Sequence, residues 1–361
     1  MSDSQKSLFE YLGIADQERM HTQVLAWLLN PSDSPLKNDE LKSLFKELFN
    51  YEIDELAQVS VSTEYKSIDL VIKSFNLIIG VENKLKSSQG VDQLKKYKAT
   101  LDKVNVNNRL YFLTFSGEIG SAEECHNLDY QFIYNALEKY IETNIYIKDY
   151  LSLLNKMLAA RSYFLTNVTK CHEVFRRSGL STEARLEDII SSDNEHVLFI
   201  CKNRLERLYV QIYLRKIMSQ LKSEGLVSSF IVSESNGQAL IQVYFDDLNF
   251  KVQNESFVPG FQYQSSTIKY TIVINSKDYK TSEKLDESNP LVLFLDDKFD
   301  SSTFQINKAK TRAYRSYSQK VNPDFLFQEL STVTESFKNN IKDCYNKWKE
   351  IHKVHLEKTS N

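Results

Sequence analysis

Two carboxylates, Asp69 and Glu82, have the residue types and the spacing that metal-dependent chemistry requires. Asp69 lies in the branched apolar run 67–73, and Glu82 ends the nearly continuous apolar run 77–82, so both runs are predicted to be β-strands. A tight turn would join them as an antiparallel hairpin. If that turn is centred between residues 75 and 76, the numbers of paired residues sum to 151, and Asp69 lies directly opposite Glu82.

This pairing would bring two acids and a lysine to one face of the hairpin. Opposed residues have Cβ atoms about 4.5–5.5 Å apart, and facing carboxylates repel each other unless a cation lies between them. Lys84 follows Glu82 by two residues, so it is expected on the same face. Oxygen ligands suit Mg²⁺ or Mn²⁺, which would activate water beside a phosphate, and a lysine can orient that water. The pattern predicts a phosphodiesterase with Asp69, Glu82 and Lys84 as catalytic residues.

A plainer interpretation of these three residues is a surface ion pair on a solvated sheet face, with little effect on stability. In a chain that is 26% charged, two acids and a lysine form a loose pattern. The spacing alone therefore leaves both interpretations open.

The neighbouring residues resemble the PD-(D/E)xK nuclease superfamily, in particular a group in which an acid in an apolar strand precedes Glu-Asn-Lys and then Gln-Leu-x-x-Tyr. Here those elements are Asp69, residues 82–84 and residues 93–97. No proline precedes Asp69, where Ser67 and Ile68 stand instead. The resemblance covers the segment from residue 18 to about residue 160.

This resemblance implies a fold, a metal and a setting. The fold would be an α/β, restriction-endonuclease-like core with a mixed central sheet flanked by helices. Mg²⁺ or Mn²⁺ would be held by Asp69, Glu82 and the backbone carbonyl of Asn83, and Lys84 would be the catalytic lysine. The partner would be nucleic acid, with DNA favoured, and the setting would be bacterial restriction or phage defence.

Gln93 and Tyr97 lie four residues apart in the segment 91–101, which is predicted to be a helix, so they share one face. The resemblance implies that they contact nucleic acid or order the site. The alternative is that Tyr97 packs the helix onto the sheet together with Leu94 and Leu101. Both roles can hold at once.

A predicted helix over residues 17–30 supplies a further acid. Asp16 is its expected N-cap, and an apolar stripe runs along the helix to Asn30. Glu18 lies at the edge of that stripe, and the resemblance, in which an acid of the first helix often lies near the metal, makes Glu18 a candidate metal ligand. The alternative is a charge that favours the helix N-terminus. His21 is expected to pack or to support the site.

The remaining patterns predict two domains. Up to residue 160, a strand over 109–115, a short strand over 130–133 and helices over 135–141 and 147–161 indicate an α/β nuclease-like domain, 1–160. Residues 161–361 are predicted to form an α+β domain, which resembles no family that we recognise. Its expected elements are a helical stretch over 186–222, a β-rich region over 226–295 with a turn at Asn236-Gly237, and a closing helix over 323–355.

A basic segment in the second half is a candidate nucleic-acid contact. It carries no acid and interleaves with tyrosines 314 and 317, a mixture that can combine phosphate contacts with base stacking. Net charge is −3, so local positive charge matters more than the total. The alternative is a solvated loop, or a cap on the acids at 296, 297 and 300. The basic residues are Lys308, Lys310, Arg312, Arg315 and Lys320.

Composition and length fit a cytoplasmic protein with a sizeable core. The chain has 361 residues, and no stretch approaches the roughly 18 apolar residues of a membrane span, so no membrane partner is expected. The N-terminal residues do not have the pattern of a signal peptide. The four cysteines lack zinc-ligand spacing and are expected to be reduced structural thiols.

Three functions are compatible with the sequence. The first is a Mg²⁺-dependent nuclease. The second is a non-catalytic nucleic-acid-binding module on the same fold, against which the intact set of Asp69, Glu82 and Lys84 argues. The third is an interaction protein whose second half is the functional part. The sequence leaves open whether the protein forms a homo-oligomer or needs an activating protein partner.

Overall fold

The computed structural model describes residues 6–90, 92–235, 238–252, 255–274, 285, 289–307 and 314–359. Contacts divide the chain into two compact units. One unit is Met1–Asn167 with Glu183–Ile212, and the other is Val168–Thr182 with Tyr213–Asn361. The contacts thus group residues 183–212 with the first unit, whereas the sequence places them after its boundary at residue 160. The division into two domains at that boundary stays a prediction.

The described part of the first unit contains a mixed β-sheet of five strands, in the order β1-β2-β3-β4-β5. The pairs β1–β2 and β2–β3 are antiparallel, whereas β3–β4 and β4–β5 are parallel. The predicted α/β class, with a mixed sheet flanked by helices, is therefore confirmed. The strands are β1 Ser60–Tyr65, β2 Ile68–Lys73, β3 Ile78–Lys84, β4 Asn108–Thr114 and β5 Cys125–Asp129.

The helices of the chain vary from one turn to eight turns in length. They are α1 Leu8–Tyr11, α2 Glu18–Leu29, α3 Asn38–Phe49, α4 Gln93–Asp102, α5 Tyr130–Glu138, α6 Ile145–Thr166, α7 His172–Ser178, α8 Thr182–Glu187, α9 Glu195–Lys202, α10 Glu206–Ser223, α11 Pro290–Lys298 and α12 Leu330–Thr359. Short 3₁₀ turns lie at Leu56–Gln58, Val168–Lys170 and Pro323–Phe327.

The predicted hairpin is formed by β2 and β3. Its pairs run from Lys73↔Ile78 to Leu70↔Val81, so the residue numbers sum to 151 as predicted. The strand predicted over residues 130–133 is wrong, because these residues begin α5 and the strand lies just before them. Asp129 explains this helix start, since its side chain accepts the N–H of Gln131 as an N-cap.

Helices α4 and α2 cover opposite faces of the sheet at β3, because successive strand residues point to opposite sides. On one face, Leu94 and Leu101 of α4 are fully buried in an apolar cluster with β2, β3 and β4. The close approach of α4 leaves little room at Gly80, where an added Cβ would lie 2.9 Å from Cδ1 of Leu101, so a larger residue would require the leucine to shift. On the other face, the side chain of Asn83 contacts α2. Gly80, Glu82 and Lys84 therefore share the α4 face.

The second unit, in its described part, contains an antiparallel sheet of seven strands in the order β11-β12-β10-β9-β7-β6, with β8 paired to β9. Helix α12 packs on this sheet, where Trp348 donates to the carbonyl of Gly260 at 3.3 Å. The second α+β fold is confirmed. The strands are β6 Ile231–Ser235, β7 Gln238–Tyr244, β8 Phe250–Val252, β9 Glu255–Gln264, β10 Thr267–Ile274, β11 Gln305–Asn307 and β12 Tyr314–Lys320.

Three predicted features of the second half differ in detail. The helical stretch over 186–222 is broken into separate helices, and residues 290–298 form α11 instead of a strand. The closing helix begins at Leu330, after a 3₁₀ turn. The predicted turn at Asn236-Gly237 lies outside the described residues, although the flanking residues Ser235 and Gln238 are paired. All four cysteines are free, as expected. Among the described helices, none is long and apolar enough to cross a bilayer.

Candidate active site

Asp69, Glu82 and Lys84 come together where the hairpin ladder ends. The last ladder pair is Leu70↔Val81. Beyond this pair, the N–H of Asn83 donates to Oδ2 of Asp69 at 2.8 Å, so its acceptor on β2 is a side chain and not a backbone carbonyl. Nζ of Lys84 lies 2.7 Å from Oε1 of Glu82. Asp69 lies close enough to Glu82 and Lys84 to affect the pKa of each, so the three side chains predicted to share one face lie together.

Burial and like charge shift the pKa values of the two acids upward. Glu82 is 1% exposed, and burial together with the negative charge of Asp69 raises its pKa to about 7, although Lys84 opposes the shift. Burial also raises the pKa of Asp69, against the N–H of Asn83 and the charge of Lys84. Because the negative charge of Asp69 raises the pKa of Glu82, a positive charge beside the two acids would be stabilised.

The two oxygens of Glu82 have different surroundings. Oε1 accepts hydrogen bonds from Lys84 Nζ at 2.7 Å and from Gln93 Nε2 at 2.8 Å. Oε2 is buried and has no hydrogen-bond partner. A buried carboxylate oxygen without a partner is costly, by about 1–3 kcal/mol or more for a charged group. The site thus contains one acceptor that the protein itself does not satisfy.

Gln93 connects Glu82 to Tyr97 on helix α4. Its Oε1 accepts the N–H of Gly90 at 2.9 Å, which leaves Nε2 to donate to Glu82 and to the hydroxyl of Tyr97, each at 2.8 Å. Tyr97 also packs against the apolar cluster beneath α4. This geometry places both residues where they can order the site, while contact with nucleic acid stays a prediction.

Residues 7–145 match a family model described as the PD-(D/E)XK nuclease superfamily. This N-terminal part of the chain is similar to the PD-(D/E)XK nuclease superfamily. No curated protein and no solved structure matches the chain significantly. The matched segment contains the whole five-stranded sheet and helices α1 to α5. The narrower group defined by Glu-Asn-Lys and Gln-Leu-x-x-Tyr stays a prediction.

Nucleases of the PD-(D/E)XK superfamily typically use Mg²⁺ or Mn²⁺, and the residues present fit such an ion. Asp69 and the bare Oε2 of Glu82 are hard oxygen donors at one place. Among the described residues, no cluster of three or more His, Cys, Asp or Glu side chains could hold a metal. The carboxylates of Asp69 and Glu82 suit Mg²⁺, which keeps several waters and binds through one or two carboxylates.

Asn83 links the five-stranded sheet to its flanking helices. Its Nδ2 donates to the carbonyl of Glu18 and to Oγ1 of Thr22, each at 3.1 Å, and its Oδ1 accepts from Tyr130 at 2.7 Å. The side chain is thus fully occupied on the α2 face. The assignment of its backbone carbonyl as a metal ligand stays a prediction.

Glu18, offered as a metal ligand on the basis of the superfamily resemblance, binds the backbone that follows Lys84. Its Oε1 accepts hydrogen bonds from the N–H groups of Leu85, Lys86 and Ser87 at 2.9–3.0 Å. Its Oε2 is contacted by the hydroxyl of Ser87 at 3.1 Å, and the assignment of Glu18 as a metal ligand stays a prediction. Oε1 of Glu18 already accepts three peptide N–H groups.

His21 is buried, and burial lowers its pKa to about 4, so its imidazole is neutral. Nε2 donates to the carbonyl of Ala15 at 3.1 Å because a carbonyl only accepts, and Nδ1 therefore accepts from Tyr150 at 3.1 Å. Its contacts are those of a residue that packs α2, one of the roles expected from the sequence.

Sequence reasoning missed the residues that hold the segment after Lys84. Asp16, expected as an N-cap, instead pairs with Lys86 at 2.6 Å and with Arg204 at 3.0 Å, and the N-cap position is Gln17. Gln211 donates to the carbonyl of Lys86 at 3.0 Å. Two of these partners lie more than a hundred residues along the chain, so no local pattern could have indicated them.

The basic segment of the second unit is described only at its C-terminal end. Lys308, Lys310 and Arg312 lie outside the described residues. Arg315 is 2% exposed and pairs with Asp296, whose other oxygen accepts from Tyr317 at 2.7 Å. A guanidinium enclosed in this way is not presented to a phosphate. The prediction that Arg315 contacts nucleic acid is therefore wrong. Arg315 instead pairs with an acid, Asp296, as the alternative interpretation predicted.

Proposed function

We propose that the chain is a Mg²⁺- or Mn²⁺-dependent nuclease that hydrolyses phosphodiester bonds in DNA. The observation that carries this proposal is the buried, unpartnered Oε2 of Glu82 beside the carboxyl group of Asp69. A divalent cation between the two groups would satisfy that oxygen and offset the negative charge of Asp69, which raises the pKa of Glu82. The superfamily of residues 7–145 supports the same activity.

Asp69, Glu82 and the backbone carbonyl of Asn83 are the groups that would hold the metal, which when bound polarises a phosphoryl oxygen and lowers the pKa of water. The protein orients the side chains of Asp69 and Glu82 before a metal binds. The N–H of Asn83 fixes Asp69, and Gln93 fixes Glu82. Ligands held in advance lose little conformational freedom when a metal binds.

Lys84 supplies a fixed positive charge beside the metal ligands. Burial alone would lower its pKa, but the hydrogen bond and charge of Glu82 outweigh burial and raise it above the usual value. Lys84 therefore stays protonated at neutral pH. It would act as a hydrogen-bond donor that orients the attacking water and stabilises charge developing on the phosphate, and not as a general base.

Cleavage assays with plasmid DNA, single-stranded DNA and RNA test the proposal directly. We expect cuts in DNA with Mg²⁺ or Mn²⁺, and none after chelation with EDTA. Binding without cleavage of any of the three substrates would instead favour the non-catalytic module. Restriction or phage defence is the setting that the resemblance suggests, and protection of a bacterial host by the wild type but not by Lys84→Ala would support it.

Metal affinity should fall as the pH falls below about 7, the pKa of Glu82 in the metal-free protein. At pH 8 the carboxyl is ionised and ready to bind, whereas below its pKa the metal must displace a proton, so affinity is expected to weaken by up to about tenfold per pH unit. Calorimetric titration with Mn²⁺ at pH 8, 7 and 6, in buffers of different ionisation enthalpy, measures both the affinity and the released protons. A constant affinity over this range would contradict the assignment of Glu82.

The basic segment is proposed as a further DNA contact through Lys308, Lys310 and Arg312. Changing all three to glutamine should weaken DNA binding and flatten its dependence on salt by about 0.9 in log–log slope for each lost phosphate contact. Fluorescence anisotropy with labelled DNA at several salt concentrations measures both quantities. Lys46→Gln, which removes an exposed charge on α3, is the control, and equal salt slopes for the triple variant and this control would discard the proposal.

A further inference from the structure

The carboxylate of Glu18 lies in a ring of hydrogen-bond donors from one short segment. The N–H groups of Leu85 and Lys86 donate to Oε1 at 3.0 Å, and that of Ser87 donates at 2.9 Å. The hydroxyl of Ser87 lies 2.8 Å from Oε1 and 3.1 Å from Oε2. Successive peptide N–H groups that converge on one anion form a nest, a known anion-binding arrangement of the backbone.

This nest begins directly after Lys84. The sheet holds the chain as far as that residue, whose carbonyl accepts the N–H of Phe115 at 3.3 Å. Beyond it, β3 has ended, and the peptide N–H groups of residues 85–87 depend on Glu18 for their acceptor. Asp16 holds only the side chain of Lys86. Without Glu18, three consecutive backbone donors would need new partners.

Glu18 also contacts the residue on the other side of Lys84. Its backbone carbonyl accepts from Nδ2 of Asn83 at 3.1 Å. The first residue of α2 therefore fixes the chain both before and after the lysine. Since Nζ of Lys84 is 2.7 Å from Glu82, a small shift of this backbone would change the position of the ammonium at the site.

We propose that Glu18 is a positioning residue that sets the backbone, and through it the ammonium, of Lys84, and that it is not a metal ligand. The proposal rests on the nuclease function argued above for its effect on rate. Its structural part, the order of residues 85–87, does not depend on that function. The three peptide donors on Oε1 favour the positioning role, since this oxygen would have to give them up to bind a metal, whereas Oε2 is contacted by the hydroxyl of Ser87.

Two substitutions of Glu18 test this role by distinct readouts. Glu18→Ala removes every acceptor, whereas Glu18→Gln keeps a carbonyl oxygen that can still accept N–H groups. We expect hydrogen exchange of the peptide spanning residues 85–88 to accelerate at least about tenfold in the alanine variant and less in the glutamine variant. We expect kcat to fall by about a hundredfold at most in alanine, as for a misplacement of about 1 Å, and by less in glutamine. KM and the Kd for Mn²⁺ should change less than about twofold.

Glu64→Gln, a matched change of an exposed acid on β1, is the control for loss of one negative charge. A tenfold or larger rise in the Kd for Mn²⁺ in Glu18→Gln, with rate losses equal to those of alanine, would make Glu18 a ligand and overturn the proposal. Unchanged exchange at residues 85–88 in both variants would overturn it as well. If the wild type cleaves no nucleic acid, the nuclease assignment fails, while the exchange and Mn²⁺ measurements still judge the role of Glu18.

Discussion

Asp69→Asn should abolish measurable Mn²⁺ binding and lower the rate of DNA cleavage by at least about a hundredfold, since bound metal supplies several kcal/mol of transition-state stabilisation. The substitution preserves shape. An amide oxygen at this position can still accept the N–H of Asn83, which donates to Asp69 at 2.8 Å. The loss would therefore report the missing charge and not a disrupted hairpin. Calorimetry with Mn²⁺ and single-turnover cleavage measure the two effects.

Asp39→Asn, which changes an exposed acid on α3, is the matched control and should behave like the wild type. Removing the charge of Asp69 should also lower the pKa of Glu82, because that charge is the second cause of its upward shift after burial. If Asp69→Asn bound Mn²⁺ with unchanged affinity, the two carboxylates would not share a metal, and the proposed site would be wrong.

The hairpin that brings these acids together was predictable because its determinants are local. Two apolar runs flank a short turn, and the centre of that turn sets every pair between Lys73↔Ile78 and Leu70↔Val81. The side-chain period of two in a strand then places Lys84 beside Glu82. Only short-range information enters this inference.

Other parts of the fold carried weaker or misleading local signals. Strand β1 is a polar sequence at the edge of the sheet, where half-buried and exposed residues alternate without an apolar run. It was not predicted. The start of α5 was missed although Asp129 has the residue type of an N-cap, because the apolar residues after it fit a strand equally well.

The partners of the segment after Lys84, and the burial of Arg315, depend on long-range packing. Arg204 and Gln211 reach this segment only once the chain has folded. Charge in a sequence does not reveal whether a cation is solvated or buried, and Arg315 is buried with its charge paired to Asp296. Such contacts have no periodicity and no fixed spacing that sequence reasoning could use.

Lys84→Ala should reduce cleavage by about 10²–10³-fold, the usual loss when one donor to a developing negative charge is removed. Unlike Asp69→Asn, it should retain Mn²⁺ binding, because Lys84 competes with a metal for the negative charge of Glu82 instead of supplying a ligand. Lys46→Ala, on an exposed face of α3, should cleave like the wild type.

The pair of variants separates the two halves of the proposed mechanism. If Lys84 acted as a general base, the wild-type rate would rise with pH as the ammonium lost its proton. This rise would be about tenfold per pH unit at every pH below the pKa of Lys84, which Glu82 raises above its usual value. Because the proposed mechanism uses the protonated lysine as a donor, we expect no such rise attributable to Lys84. Lys84→Arg, which keeps the charge in a different shape, should recover part of the rate. Cleavage by Lys84→Ala at the wild-type rate would mean that the ammonium beside Glu82 serves the fold alone, and that charge on the phosphate is stabilised by other groups.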